Sequence, residues 1–241
     1  MRYGIISDIH SNLQAFQAVL DYYKTQSIDK FIFLGDIVGY GANPRQCIKL
    51  LQSLNAVTIA GNHDWAVTDL LDIKYFNEYA EKAILWTKNE LSMDDIGYLK
   101  SFALTYQESN FICVHGSLQN PERFNYILGL NDAFNNFSLF KKSIMFVGHS
   151  HRLEAYSCGN NEVFYVAERR FRLKPQVRYI VNAGSIGQPR DRDPRASICI
   201  YDSEENMVFF ERLEYNIKAA ADEILTCGLP TILAQRLYAG W

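Results

Sequence analysis

The chain has 241 residues, 48% of them hydrophobic, which suits one large domain with a sizeable core. Its net charge of −3 gives no general attraction to nucleic acid or to an anionic membrane. No window approaches the ~20 apolar residues that span a bilayer, and five scattered cysteines with no CxxC pair exclude a disulfide framework or zinc knuckle, so reduced, buried thiols in a soluble cytoplasmic protein are expected.

The N-terminal run "RYGIIS" reads as a strand; it meets Asp8 at once and is too short for a signal-peptide core. The next segment puts Leu13, Phe16, Val19, Leu20 and Tyr23 at helical spacing behind Ser11 or Asn12 as N-cap. "KFIFLG" is a second strand, "PRQCIKLLQSL" a helix opened by Pro44, and "AVTIAG" a third strand. This alternation predicts right-handed crossovers and a parallel sheet. Residues 65–101 read as an all-helical insertion, with Ser92 and Asp95 as a capping box. "FALTYQ" and "NFICVHG" form a hairpin, a helix spans about 131–142, and "SIMFVG" is a strand. Five more strand-like runs precede two closing helices, 217–228 and 230–240. The expected fold is α/β: one domain over 1–241, two sheets packed face to face with helices outside.

All five histidines, His10, His63, His115, His149 and His151, follow such apolar runs, as does Asp36. Carboxyl ends of parallel strands share one rim, where α/β sheets place their ligand crevice. Asp8 and His10 lie two apart on an extended segment and point the same way, as do His149 and His151. Aspartate with histidine suits manganese, iron, zinc or nickel. Asp8, His10, Asp36, Asn62, His63, His115, His149 and His151 are too many for one ion with an open position; they suit two ions about 3.5–4 Å apart sharing a carboxylate. Each piece alone has an ordinary reading, since single strand-end histidines are usually structural and Asn62 and Asp64 are common turn residues. Their joint occurrence points to a metal site.

The set "DIH" (8–10), "GD" (35–36), "GNHD" (61–64), "VHG" (114–116) and "GHSH" (148–151) resembles the calcineurin-like metallophosphoesterase superfamily. "GDIVGYGANPRQC" and "VNAGSIGQPRDRDPRAS" are similar to its small bacterial phosphodiesterase-like branch. The resemblance implies an αββα sandwich. It also implies Asp8, His10 and His151 on one divalent ion, Asn62, His115 and His149 on a second, and Asp36 bridging them. His63 would contact the substrate phosphate or leaving group, and Asp64 would orient His63 from behind. Ser150 stands where threonine is frequent in that pattern. The activity implied is hydrolysis of a small phosphoester, a nucleotide among the candidates and a diester ahead of a monoester, by attack of a metal-bound hydroxide.

Substrate recognition is open to two readings. Arg190 and Arg195 of "GQPRDRDPR" could grip phosphate, or belong to a solvated loop whose aspartates cancel their charge. Tyr40 could lie near the metals, or in a plain connection. The aromatics of 65–101 read as packing ahead of a base-stacking cap. Serine-hydrolase chemistry is excluded because "AGSIG" has Ala183 where the nucleophile elbow needs glycine. No P-loop motif occurs. The non-catalytic alternative is a scaffold subunit on the same fold, which the complete ligand set disfavours.

Overall fold

Alternation with a period of two builds the sheets. In the computed structural model, which describes residues 1–241, the strands are β1 (Arg2–Ile6), β2 (Lys30–Phe33), β3 (Val57–Thr58), β4 (Thr105–Gln107), β5 (Phe111–Val114), β6 (Ile144–Val147), β7 (Leu153–Gly159), β8 (Glu162–Val166), β9 (Arg170–Arg172), β10 (Arg178–Ala183), β11 (Ala196–Asp202) and β12 (Met207–Leu213). The helices are α1 (Leu13–Lys24), α2 (Pro44–Ser53), α3 (Asn62–Val67), α4 (Glu78–Glu90), α5 (Met93–Lys100), α6 (Leu130–Phe137), α7 (Ile217–Thr226) and α8 (Thr231–Ala239).

Two six-stranded mixed sheets result, ordered β3-β2-β1-β11-β12-β9 and β4-β5-β6-β10-β7-β8. Each contains a parallel trio: β1, β2 and β3 in one, β5, β6 and β10 in the other. Neighbouring residues divide between layers. Ile5 and Ile32 pack with Phe146 and Val181 between the sheets, whereas Ile6 and Phe33 meet Phe16 and Val19 of α1. Met145 and Val147 face Ala133 and Phe137 of α6. A further apolar cluster joins Ala80 and Ala83 of α4, Ala220 and Ile224 of α7, and Leu233 and Leu237 of α8 around Tyr40.

Local signals act as the sequence predicts at several ends. Asn12 Oδ1 caps α1 by accepting from the Ala15 amide at 3.1 Å, and the Ser92–Asp95 capping box starts α5. Elsewhere tertiary contacts move boundaries. α3 begins at Asn62, not Trp65, so Asn62, His63 and Asp64 form its first turn. β3 shortens to two residues; Ile59 still donates to the Phe33 carbonyl of β2 at 3.0 Å and also bridges to Ala103. α6 stops at Phe137, where Arg178 donates to the carbonyls of Phe137 and Phe140 and closes the turn. The basic run 167–175 contributes the edge strand β9, with Phe171 buried and Arg170 and Arg172 paired to Glu211 and Glu205. Four cysteines are buried and free as expected; Cys227 differs, being exposed just beyond α7. No helix is long and apolar enough to cross a membrane.

Candidate metal centre

The carboxyl ends of both parallel trios converge. Asp8 and His10 follow β1, Asp36 follows β2, and Asn62 and His63 open α3 after β3. His115 follows β5, His149 and His151 follow β6, and Gln188 and Arg190 lie on the segment leaving β10. Five of the seven expected ligands, Asp8, His10, Asp36, His149 and His151, have left-handed φ of 47° to 66°. Such conformations cost of order 1–3 kcal/mol each and persist where the surroundings over-determine them. Two glycines make room: a Cβ on Gly61 would overlap Asp36 Oδ1, and one on Gly148 would come within 2.5 Å of Asp8 Oδ2.

Each carboxylate is held by one oxygen and presents the other. Asp8 Oδ2 accepts from Ser7 Oγ at 2.5 Å and the His149 amide at 3.0 Å, leaving Oδ1 without a partner. Asp36 Oδ1 accepts from the His63 amide at 2.8 Å. Its Oδ2 lies 3.6 Å from His10 Nε2 and 3.3 Å from His115 Nε2. His151 Nε2 is 3.2 Å from Asp8 Oδ1 and 3.1 Å from His10 Nε2. Three imidazoles are oriented from behind: Nδ1 of His10, His115 and His151 meets the carbonyls of Val38, Leu34 and Gln188 at 3.0, 2.6 and 2.5 Å. An Nδ1–H donating to a carbonyl turns the Nε2 lone pair inward, as a metal ligand requires.

Divalent cations fit this arrangement. Asp8 Oδ1, Asn62 Oδ1, His115 Nε2 and His149 Nε2 are buried polar atoms with no hydrogen-bond partner. Buried polar atoms left so cost about 1–3 kcal/mol each, and a cation satisfies several at once. The donors fall into overlapping groups: Asp8, His10 and His151; Asp36, His115 and His149; and His10, Asp36 and His63. Aspartate oxygen with imidazole nitrogen is the donor set of borderline divalent metals.

Charges in the nest are tightly linked. Burial lowers the proton affinity of His10 and His149 strongly, with that of His151 falling more modestly. His115 goes the other way: burial opposes its charge, but Asp36, Asp8 and the Leu34 carbonyl together outweigh burial and raise its proton affinity. A proton there occupies the place a cation would take. Burial pushes the His63 imidazole down to about 4, so it is neutral near pH 7 without substrate.

The nest opens into a cavity of about 960 Å³. Asp36, Asn62, His63, His149 and His151 reach its wall, as do Tyr40 and Arg190. Tyr40 stands 4.6 Å from His10 and 4.5 Å from His63 between ring centroids, and the Arg190 guanidinium lies 5.4 Å over the Tyr40 ring. Two expectations are corrected. Arg195 does not face the cavity; its guanidinium closes on Asp193 of its own loop at 2.6 and 2.9 Å. Asp64 does not orient His63. From the third position of α3 it reaches back to the amides of Gly61, Asp36 and Ile37 at 3.0, 2.8 and 3.0 Å, because consecutive helical side chains diverge. Asp64 therefore holds the Asp36 loop. Sequence reasoning did not find Arg236, Trp241 and Tyr126, which also line the cavity. Tyr126 stacks on His149 at 3.8 Å. These residues carry no motif. Among the aromatics of 65–101, Trp65 packs edge-on against Phe124, while Tyr75 and Phe76 reach the cavity.

Comparison with known proteins gives consistent findings. Residues 1–206 match the family model for the calcineurin-like phosphoesterase superfamily domain. An uncharacterised protein of Methanocaldococcus jannaschii is 39% identical over 243 residues, covering 98% of this chain and 97% of that one. A metallophosphoesterase from Sphaerobacter thermophilus superposes with a TM-score of 0.87 at 36% identity, over the whole of both chains. A hypothetical protein from Pyrococcus horikoshii shares the fold, with a TM-score of 0.83 at 22% identity, covering 100% of this chain and 98% of that one.

Proposed function

The chain belongs to the calcineurin-like phosphoesterase superfamily, and from that premise we propose that it hydrolyses small phosphoesters, diesters ahead of monoesters, using two divalent cations. Asp8, His10 and His151 would hold one, Asn62, His115 and His149 the other, and Asp36 would share its free oxygen between them. Manganese, iron, zinc and nickel all suit these donors. When bound, such cations would lower the pKa of a coordinated water from about 15.7 towards 7 and offset phosphate charge.

The protein's own groups account for the rest. Hydrolysis forms one P–O bond from water, breaks the ester P–O bond and leaves an oxygen that needs a proton. His63 is the candidate donor. It is neutral without ligand, and an arriving phosphate anion would raise its proton affinity, so the proton is taken up with substrate; such acid catalysis is typically worth about 10²–10⁴-fold. Asp64 keeps the Asp36 loop in register. The cavity, about 960 Å³, leaves room for a substituent on each side of phosphorus, which supports the diester preference.

One observation carries the reading: Asp36 Oδ2 lies 3.6 and 3.3 Å from the Nε2 atoms of His10 and His115, whose Nδ1 atoms are already committed to carbonyls. The test is metal analysis with turnover of aryl phosphodiesters and monoesters under manganese, nickel, zinc and magnesium. Two metals per chain and faster diester turnover are expected. A protein that takes up no metal and turns over no ester would instead support the scaffold reading.

A further inference from the structure

Three arginines line the cavity beside the cluster, Arg123, Arg190 and Arg236. Six others, Arg2, Arg45, Arg170, Arg172, Arg195 and Arg212, each pair with a carboxylate; these three do not, nor do Arg152, Arg169, Arg178 and Arg192, which lie outside the cavity. Glu122, the cavity's acid apart from Asp36, pairs with none of them. Arg190 Nη2 and Nε share the neutral Gln188 Oε1 at 2.8 and 3.3 Å. Its guanidinium lies 5.4 Å over the Tyr40 ring, which stands 4.6 Å from His10 and 4.5 Å from His63, so it sits beside the nest. Arg236 comes from α8, an element that gives no candidate ligand. It lies 5.2 Å over the Trp241 ring, and its Nε is buried without a partner. Burial, and secondarily Arg190, work against its charge.

Two like charges sharing a partly enclosed wall, with an unsatisfied N–H and no carboxylate paired to either, lack a bound anion. Guanidinium forks match phosphate oxygens in pairs, better than they match a single carboxylate at a distance. The geometry points to a second phosphate subsite, formed by Arg190 and Arg236 next to the metal nest, so that the substrates are phosphoesters carrying a further phosphoryl group in a condensed chain, as in nucleoside polyphosphates. This specificity rests on the hydrolase reading above. The residues nearest phosphorus would handle the phosphate being cleaved, and the arginines the one beyond it.

The first measurement is calorimetric binding of inorganic tripolyphosphate to chelator-treated protein, where only side chains can hold it. Binding is expected, and Arg190→Gln and Arg236→Gln should each weaken it about ten-fold or more, the loss of a charge-assisted pair of hydrogen bonds. Arg236→Lys, which keeps the charge, should weaken it less than Arg236→Gln. Far-UV circular dichroism checks that the variants are folded. In metal-loaded protein, kcat/KM should favour an aryl ester of a condensed phosphate over one with a single phosphate, and Arg236→Gln should erode that preference through KM. Equal tripolyphosphate affinity in wild type and both Gln variants overturns the subsite, as does equal kcat/KM for the two esters in wild type. Tripolyphosphate binding that depends on both arginines, in a protein that hydrolyses no ester with any metal, supports the subsite while sinking the hydrolase reading.

Discussion

The space between the sheets and the rim at the ends of their parallel strands are equally buried and built on opposite principles. Between the sheets, Ile5, Ile32, Phe146 and Val181 interlock as apolar groups, and the Tyr201 hydroxyl is the one buried side-chain polar atom of that cluster without a partner. At the rim, Asp8, His10, Asp36, His115 and His151 are just as buried, but several present lone pairs to one another and most sit on left-handed backbone. The first region gives stability; the second spends it to hold donors in a fixed array. A site ready for a cation is a place where the rules of the interior are broken locally and the rest of the fold compensates.

The sharpest way to break this contrast is to remove the shared oxygen. Asp36→Asn should abolish metal uptake and turnover. Its thermal stability without metal should fall only modestly below that of metal-free wild type, because the stabilising Asp36–His115 pair is lost but His115 can shed its proton. Calorimetry with metal analysis reads both. A large stability loss in that variant would mean the nest is a structural polar network instead. Phe146→Ala is the mirror experiment. Truncating this fully buried ring should cost about 3–5 kcal/mol in denaturant unfolding while the folded fraction still binds metal.

Protons sharpen the contrast further. Ligand histidines bind metal only when neutral, so metal affinity must fall as pH falls. Because Asp36, with Asp8 and the Leu34 carbonyl, raises the affinity of His115 for a proton above its ordinary value near 6.5, that group is still protonated at pH 7 in the metal-free protein. Metal binding then expels a proton, and affinity should keep climbing as pH rises past 6.5 instead of levelling there. Titrations from pH 6 to 9, with proton release measured in two buffers, check the sign. A plateau at pH 6.5 would mean that His115 starts out neutral. The smallest effect belongs to a loop residue outside both regions. Arg195→Ala removes a partly exposed pair with Asp193 and should change stability by about 1 kcal/mol or less, with no effect on turnover.

The strand runs, the alternation that sorts Ile5 from Ile6, and the recurrence of aspartate and histidine after apolar segments were readable because they are short-range patterns. A strand's period and the tight turn after it are properties of a few consecutive residues. Boundaries were less readable where a partner distant in sequence set them, as at β3, beyond which Ile59 bridges to Ala103, and at α6, which Arg178 helps to close. The role of Asp64 was misjudged for a related reason. The resemblance implies that Asp64 orients His63, but the helix that starts at Asn62 turns the two side chains apart.

The sequence by itself determined that β1, β2, β3, β5 and β6 would be followed by aspartate, asparagine and histidine side chains, since each of the seven expected ligands among them is tied to its strand by one to four residues. Only the tertiary structure decided what else would face them. Arg190 and Arg195 lie five residues apart in one loop, yet one enters the cavity and the other closes on Asp193. Arg236 and Trp241 arrive because α8 packs with α7 and α4 around Tyr40. That placement depends on how helices far apart in the chain share one apolar cluster, and no local pattern encodes the direction a long, flexible guanidinium takes when they do.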